Sequence, residues 1–287
     1  MRNSAVDGIV LVDKPEGMTS HDVVAVARRA LGTHRIGHTG TLDPFATGLL
    51  VLLVGRATRL QPYVEGEPKV YEATIRFGVE TDTGDPTGAV LREAALPADS
   101  RVADAIAQLT GPVEQVPPAY SAKQVAGVRA YEAARRGTPL DLSPVTVVVH
   151  RWDVHSHTAA HWDVTITCSG GTYVRSLARD VGVLAGSAAH LLTLRRLRSG
   201  HFDVADAVGL DELRAGDAVV IPPLAAVPGL PAQELSDRDA ARVAHGEPVP
   251  ATTHGSRAAL VASDGGLVAI ADRDGDSWRP RLVLRAL

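Results

Sequence analysis

The stretch Gly37–Leu50, GHTGTLDPFATGLL, sets one carboxylate, Asp43, between two glycine-containing turns, with Pro44 directly after it. The residues allow two readings. An Asp before Pro at a turn serves as a helix N-cap with Pro at N1, or closes an Asx turn. Against a cap, the helix would meet Gly48 and then run into the branched, apolar LLVLLV of Leu49–Val54, which reads as a buried strand. Proline also drives the residue before it to extended backbone. Gly37 and Gly40 permit sharp bends and the close approach of a ligand. Asp43 is thus either a turn residue or a carboxylate presented for chemistry. The loop is not a phosphate cradle, because no Gly-Lys-Ser/Thr closes it. No GxGxxG follows a strand, so a dinucleotide site is unsupported.

Outward from this loop, GIVLV (Gly8–Val12) reads as a strand, and Ser20 is placed to cap a helix running to about Leu31. Val70–Gly78 alternates, with Tyr71, Ala73, Ile75 and Phe77 on one face. ETDTGDPTG (Glu80–Gly88) is turn chemistry throughout. Ser100–Leu109 reads as an amphipathic helix. Residues 111–144, rich in Pro, Gly and basic residues, read as an excursion carrying a helix near Arg129–Arg136. Val145–Val154 and Ala160–Cys168 are strands, Thr172–Leu184 is a helix, and Leu191–Phe202 is a strand with three arginines. Interspersed helices and adjacent-strand turns predict an α+β fold with a mixed, largely antiparallel sheet and packed helices. After Pro222 the proline-rich VIPPLAAVPGLP reads as a linker to a small unit, with a capped helix (Ser236–His245) and strands Ala258–Ala262, Leu267–Arg273 and Arg281–Leu284. The expected domains are 1–222 and 223–287.

The chain has 287 residues, 45% hydrophobic and 22% charged, which suits one large or one large plus one small domain. No apolar run reaches the roughly 18 residues of a membrane helix, and Asp7, Asp13 and Lys14 interrupt the N-terminal run too early for a signal peptide. One cysteine, Cys168, excludes an internal disulfide framework and points to a reducing compartment. The net charge is −4, yet basic residues outnumber acidic ones in 1–60 (7 against 5) and in 143–202 (6 against 3). That distribution permits an anionic partner. His150, His155, His157 and His161 lack the framing of a metal motif, so no metal is expected.

KPEGMTSHDVV, GHTGTLDPFATGLL, KVYEA, PPAYSA, CSGGTYVRS and LRRLRSG occur in that order between residues 8 and 202. Together they resemble the TruB family of tRNA pseudouridine-55 synthases. The tail is similar in length and character to the small PUA-like RNA-binding domain of some members. The resemblance implies isomerisation of the T-loop uridine, in which uracil leaves its ribose at N1 and returns through C5, with no cofactor.

In that family the loop aspartate is the nucleophile, here Asp43. A carboxylate is already ionised near neutral pH and needs no activating base. Arg175 resembles the arginine paired with that aspartate. Tyr71 resembles the tyrosine that stacks on the flipped base, with a hydroxyl placed to take the C5 proton. Tyr173 and Leu194 match positions lining the pocket, and His38 matches the histidine that enters the RNA loop. Lys14 and Pro15 match a motif supporting the catalytic loop. Lys123, Arg129, Arg135, Arg136, Arg195, Arg196 and Arg198 are candidates for phosphate contacts. One departure occurs: the family lysine stands two residues after Ser-Ala, whereas here Lys123 follows directly and Gln124 takes that place.

The implied partner is the tRNA T-arm stem-loop, met by a cytoplasmic monomer with no obligate protein partner and no membrane contact. The rival readings are a tRNA-folding RNA-binding module with incidental catalysis, a relative directed by guide RNA, and a Ser-His-Asp hydrolase. The last lacks a GxSxG elbow.

Overall fold

The computed structural model describes residues 7–285 except 65, 122, 126 and 139, without the side chains of Val125 and Arg129. The first half runs β1 (Gly8–Lys14), α1 (Ser20–Ala30), β2 (Ile36–His38), β3 (Thr47–Val54), β4 (Lys69–Phe77), β5 (Val79–Thr81), β6 (Val90–Glu93), α2 (Asp99–Gln108) and β7 (Gly111–Gln115). It continues through β8 (Gln124–Val125), β9 (Val128–Arg129), α3 (Ala130–Arg135), β10 (Val145–His157), β11 (His161–Cys168), α4 (Val174–Leu184), β12 (Ala189–Ser199), β13 (Phe202–Asp203) and α5 (Leu210–Ala215). The C-terminal part holds β14 (Ala232–Glu234), α6 (Asp237–Ala244), β15 (Val249–Pro250), β16 (Arg257–Val261), β17 (Leu267–Asp274) and β18 (Ser277–Val283).

The main sheet has the order β1-β3-β12-β4-β11-β10-β7, with β2 on β3 and β13 on β12. Its one parallel pairing joins β12 to β3 at Arg195–Thr47 and Arg196–Gly48, and the others are antiparallel. The sheet is therefore mixed and largely antiparallel. The alternation of β4 places Tyr71, Ala73, Ile75 and Phe77 in one core with Leu177, Ala178 and Val181 of α4. In β3, Leu50, Leu52 and Val54 pack on Val23, Val24 and Ala27 of α1. Its alternate residues Leu49, Val51 and Leu53 turn the other way. A strand buried on both faces reads as a continuous apolar run, which is what LLVLLV is.

The second sheet, ordered β14-β16-β17-β18-β15, encloses Trp278, whose indole Nε1 donates to Gln233 Oε1 at 2.8 Å. Ser236 caps α6 by accepting from Asp239 N. Ala259, Val261, Ile270 and Leu282 join Ile9, Leu11, Leu49, Val51 and Leu53 in one apolar cluster, so the two sheets share a core.

Several local expectations need correction. Thr19, not Ser20, caps α1, in a capping box with Asp22. Residues 111–115 are not part of the excursion but form the edge strand β7 against β10, where an edge position accommodates Pro112. Strand β12 stops at Ser199, where Gly200 turns the chain back into β13. Strand β18 begins at Ser277 and carries Pro280 beside a register shift, earlier than its proline suggests. The presumed linker is packed: Ile221 exchanges backbone hydrogen bonds with Ile9, and Ala226 and Val227 are buried in the shared core.

Candidate active site

The loop from Thr39 to Ala46 is tied down from four sides. Lys14, fully buried, donates from Nζ to the carbonyls of Pro15 (2.9 Å), Met18 (2.7 Å) and Pro44 (3.4 Å). Burial holds its ammonium down to about 8, against 10.5 ordinarily. Pro15 brackets the turn that lets Gly17 N donate to Pro44 O at 2.8 Å. The Ser20 hydroxyl accepts from Leu42 N (2.9 Å) and donates to Leu42 O (3.2 Å), which is why Ser20 is buried and not a cap. Arg196 donates from Nε to Leu49 O (2.7 Å) and from Nη2 to Gly40 O (3.1 Å). Gly48, at φ +98°, lies so close to the Arg196 backbone that a Cβ would collide with it.

Within this frame Asp43 meets Arg175. The guanidinium donates from Nε to Asp43 Oδ2 (2.8 Å) and from Nη2 to Oδ1 (2.9 Å). Its remaining donors reach Thr83 O (2.7 Å) and Tyr120 O (2.9 Å). Arg175 is 4% exposed, whereas 31% of the Asp43 side chain stays open. Burial pushes the Asp43 carboxyl above its ordinary range, and the Arg175 charge and hydrogen bonds oppose that rise. The turn presenting Thr83 O is closed by Asp85, whose Oδ1 accepts from Thr83 Oγ1 (2.7 Å), Thr87 N (2.9 Å) and Thr87 Oγ1 (2.6 Å). ETDTGDPTG therefore does more than turn the chain: it seats the arginine.

Asp43 and Arg175 line a 240 Å³ cavity together with Tyr71, Tyr173, Leu194 and Lys69. Tyr71 and Leu194 are each 6% exposed, so they present apolar faces with little freedom. Burial raises the Tyr71 phenol above 10, which keeps it neutral. Tyr173 is fixed through its backbone: Gln115 Oε1 accepts from Tyr173 N (2.8 Å) and Gln115 Nε2 donates to Tyr173 O (3.1 Å). A wider groove of 440 Å³ is lined in part by Thr74, Asp163 and Arg195, which are already engaged by Thr74–Asp163 and Arg195–Asp13 contacts.

The structure does not bring every singled-out residue to the cavity. His38 lies off its wall, edge-on to His21 at 5.5 Å, with its Nδ1 buried and unpartnered among the described residues. Burial lowers its pKa. Arg195 pairs with Asp13 through both carboxylate oxygens (2.9 and 2.6 Å), and Arg198 with Asp203 (2.7 Å). Lys123, Arg135 and Arg136 are exposed, and the Arg129 side chain lies outside the described residues. Arg196 needs correction as a surface phosphate contact: it is fully buried, behind the loop from Thr39 to Ala46. Register explains this, since Arg196 pairs with Tyr71 on the inward side of β12 while Arg195 pairs with Glu72. Among the described residues no three His, Cys, Asp or Glu side chains converge for a metal, and no helix is long and apolar enough to cross a membrane.

Sequence reasoning missed Ser20, Thr83, Gln115 and Lys69 as parts of the site. Thr83 and Tyr120 act through backbone carbonyls, which leave no residue-type signal. KVYEA did mark the segment that holds Lys69.

Residues 28–174 match the model of the TruB family pseudouridylate synthase N-terminal domain, and 175–220 that of the tRNA pseudouridylate synthase B C-terminal domain. The chain is 45% identical to tRNA pseudouridine synthase B of Thermobifida fusca, over 96% of this chain and 98% of that one. It is 49% identical to the protein of that name from Symbiobacterium thermophilum, over 85% and 83%. Among solved structures, a Cbf5-Nop10-Gar1 complex shares the fold with TM-score 0.71 at 24% identity, covering 97% of this chain and 85% of that one. With a family model spanning more than half its length and these relatives along nearly all of it, the chain belongs to the TruB family of pseudouridylate synthases.

Proposed function

We propose that this synthase isomerises the uridine at position 55 in the T-loop of tRNA, with Asp43 as nucleophile. The observation that carries the reading is the bidentate Asp43–Arg175 pair at the wall of a cavity faced by Tyr71 and Leu194. The N1–C1′ bond breaks, a C5–C1′ bond forms, N1 gains a proton and C5 loses one. Atoms and electrons balance without a co-reactant. Asp43 meets the reacting ring or sugar as an oriented carboxylate, because Arg175 spends two donors on it and a buried ion pair loses little of its strength to water.

The target base must leave its stack to reach the cavity. Tyr71 offers the face on which it stacks, and Tyr173 and Leu194 close the remaining walls. The neutral Tyr71 phenol favours stacking over proton removal. His38, on the strand that leads into the loop, is assigned to the RNA outside the cavity. Lys123, Arg129, Arg135 and Arg136 of the insertion are assigned to phosphates, and the unit from 223 to 287 to a PUA-like RNA contact. The reading carries with it a protein of the cytoplasm, which action on tRNA suits, and one that acts as a monomer.

The test is Asp43→Asn, incubated with unmodified tRNA and read by chemical derivatisation and mass spectrometry, since pseudouridine has the mass of uridine. No turnover is expected, with RNA binding retained. Undiminished modification would remove Asp43 as nucleophile.

A further inference from the structure

Among the described residues two cationic side chains line the uridine cavity, Arg175 and Lys69, and they differ in how far the protein uses them. Arg175 directs its donors to Asp43, Thr83 and Tyr120. Lys69 makes no hydrogen bond and no ion pair among the described residues, although it is only partly exposed. It stands where the cavity joins a second cleft lined by Thr39, Gln61, Glu67 and Ser199, and Lys69 and Gly40 border both. Its Nζ lies 3.1 Å from the point a Gly40 Cβ would occupy.

A second donor converges on the same point. Arg196 Nη1 lies 3.4 Å from it, is buried, and has no hydrogen-bond partner among the described residues. Two positive groups with unfilled N–H capacity thus flank Gly40, at the mouth of a cavity whose own reactive group is an anion. Burial and the Arg196 charge lower the Lys69 pKa, while Cys168 and Glu67 act in the opposite sense. An unpaired buried cation is costly to maintain unless something anionic arrives to meet it.

We infer that Lys69, backed by Arg196, is a phosphate subsite that holds the phosphodiester of the flipped nucleotide at the mouth of the cavity. The inference rests on the uridine-isomerising reading above. A flipped base drags its phosphates toward the mouth, and there Asp43 repels them. Lys69 supplies the opposite charge at the junction and orients the nucleotide so that its sugar faces Asp43. Lys69 is a positioning residue: it touches the backbone of the substrate and not the reacting atoms.

The experiment uses the full chain and a T-arm hairpin RNA, with affinity measured against salt and turnover measured separately. Lys69→Met keeps the aliphatic stem and orphans no protein acceptor, so its melting temperature should not fall. Its affinity should drop about 10- to 100-fold at low salt. Its slope of log K against log salt should shrink by about 0.7–0.9, the value for one phosphate contact. Lys69→Arg should keep the slope. A hairpin with a neutral methylphosphonate at the phosphate beside the target uridine should weaken the wild type by the same factor and leave Lys69→Met unaffected. An unchanged slope in Lys69→Met, or additive losses from the variant and the neutral phosphate at each flanking position, would overturn the subsite. The isomerase reading fails separately, if the wild type binds the hairpin and leaves its uridine unmodified.

Discussion

Arg175 grips both carboxylate oxygens of Asp43, at 2.8 and 2.9 Å, across 132 residues of chain. The pair joins the start of α4 to a loop between β2 and β3 and sets the protonation of the proposed nucleophile. Burial raises the Asp43 pKa and the guanidinium opposes that. Removing the guanidinium therefore raises it further. Since the carboxylate is the form proposed to react, activity lost on the acid side should be lost at a higher pH. Arg175→Met should show the acid limb of its single-turnover pH profile displaced upward, with a reduced rate at neutral pH. Arg175→Lys, which cannot offer the planar fork, should fall between. A limb at the wild-type position would show that Arg175 does not control Asp43.

Lys14 works beneath the loop. Lys14→Met leaves the Pro15, Met18 and Pro44 carbonyls without their shared donor. A loss of about 1–3 kcal/mol in urea unfolding is expected, with kcat reduced more than RNA affinity. The pH dependence has a definite sign. Lys14 binds its proton with a pKa of about 8 in the fold and 10.5 ordinarily. Between those values the unfolded chain holds more protons, so the contribution of Lys14 to stability rises with pH. That increment should be present in the wild type and missing from the variant when unfolding is compared at the two ends of the window.

Tyr71 is set against the Asp43 wall and keeps its phenol neutral. Replacing it by Leu removes the flat face but preserves bulk. Base stacking on an aromatic ring contributes about 1–3 kcal/mol, so turnover should fall roughly 5- to 150-fold. Fluorescence of a 2-aminopurine beside the target uridine reports flipping directly. A Tyr71→Leu protein that flips the base as well as the wild type would exclude the stacking role.

The shared core makes removal of the C-terminal unit a structural change as well as a functional one. Ending the chain after Pro222 would wet the side chains of Ile9, Leu11, Leu49, Val51 and Leu53 that now meet Ala259, Val261, Ile270 and Leu282. Each apolar side chain of this size contributes roughly 1.5–3 kcal/mol on full burial. The truncated protein should melt lower and bind a hydrophobic dye. An unchanged melting temperature would show that the two sheets are energetically independent. RNA affinity is better tested by charge-reversing substitutions on exposed residues of the unit, such as Arg279→Glu, 59% exposed at its side chain.

Much of the fold was legible because period and burial agree. The alternation in Val70–Gly78 and the unbroken apolar run of Leu49–Val54 appear as β4 and β3, and the mixed sheet follows from their neighbours. The failures were local, at Ser20 and at Pro112, Ile221 and Pro280. At the first three a partner far away in sequence overrules the local preference, Leu42 for Ser20, β10 for Pro112 and Ile9 for Ile221, while at Pro280 the overruling partner is β17, its neighbour across a tight hairpin.

For the site, the GHTGTLDP loop and its ordered companions marked the family from sequence alone, because those residue types do not recur in that order by chance. Sequence also determined the elements that carry them. The tertiary structure alone decided which arginine of LRRLRSG is which. Arg195 and Arg196 are neighbours of identical chemistry, yet one pairs with Asp13 at the surface and the other lies buried against Gly40 and Leu49. Successive residues of a strand face opposite ways, and the pairing register of β12 on β4 fixes which way each points. The Thr83 and Tyr120 carbonyls that seat Arg175, and the Lys69 ammonium left unpaired among the described residues, were settled in the same manner, by where distant strands and loops come to rest against one another.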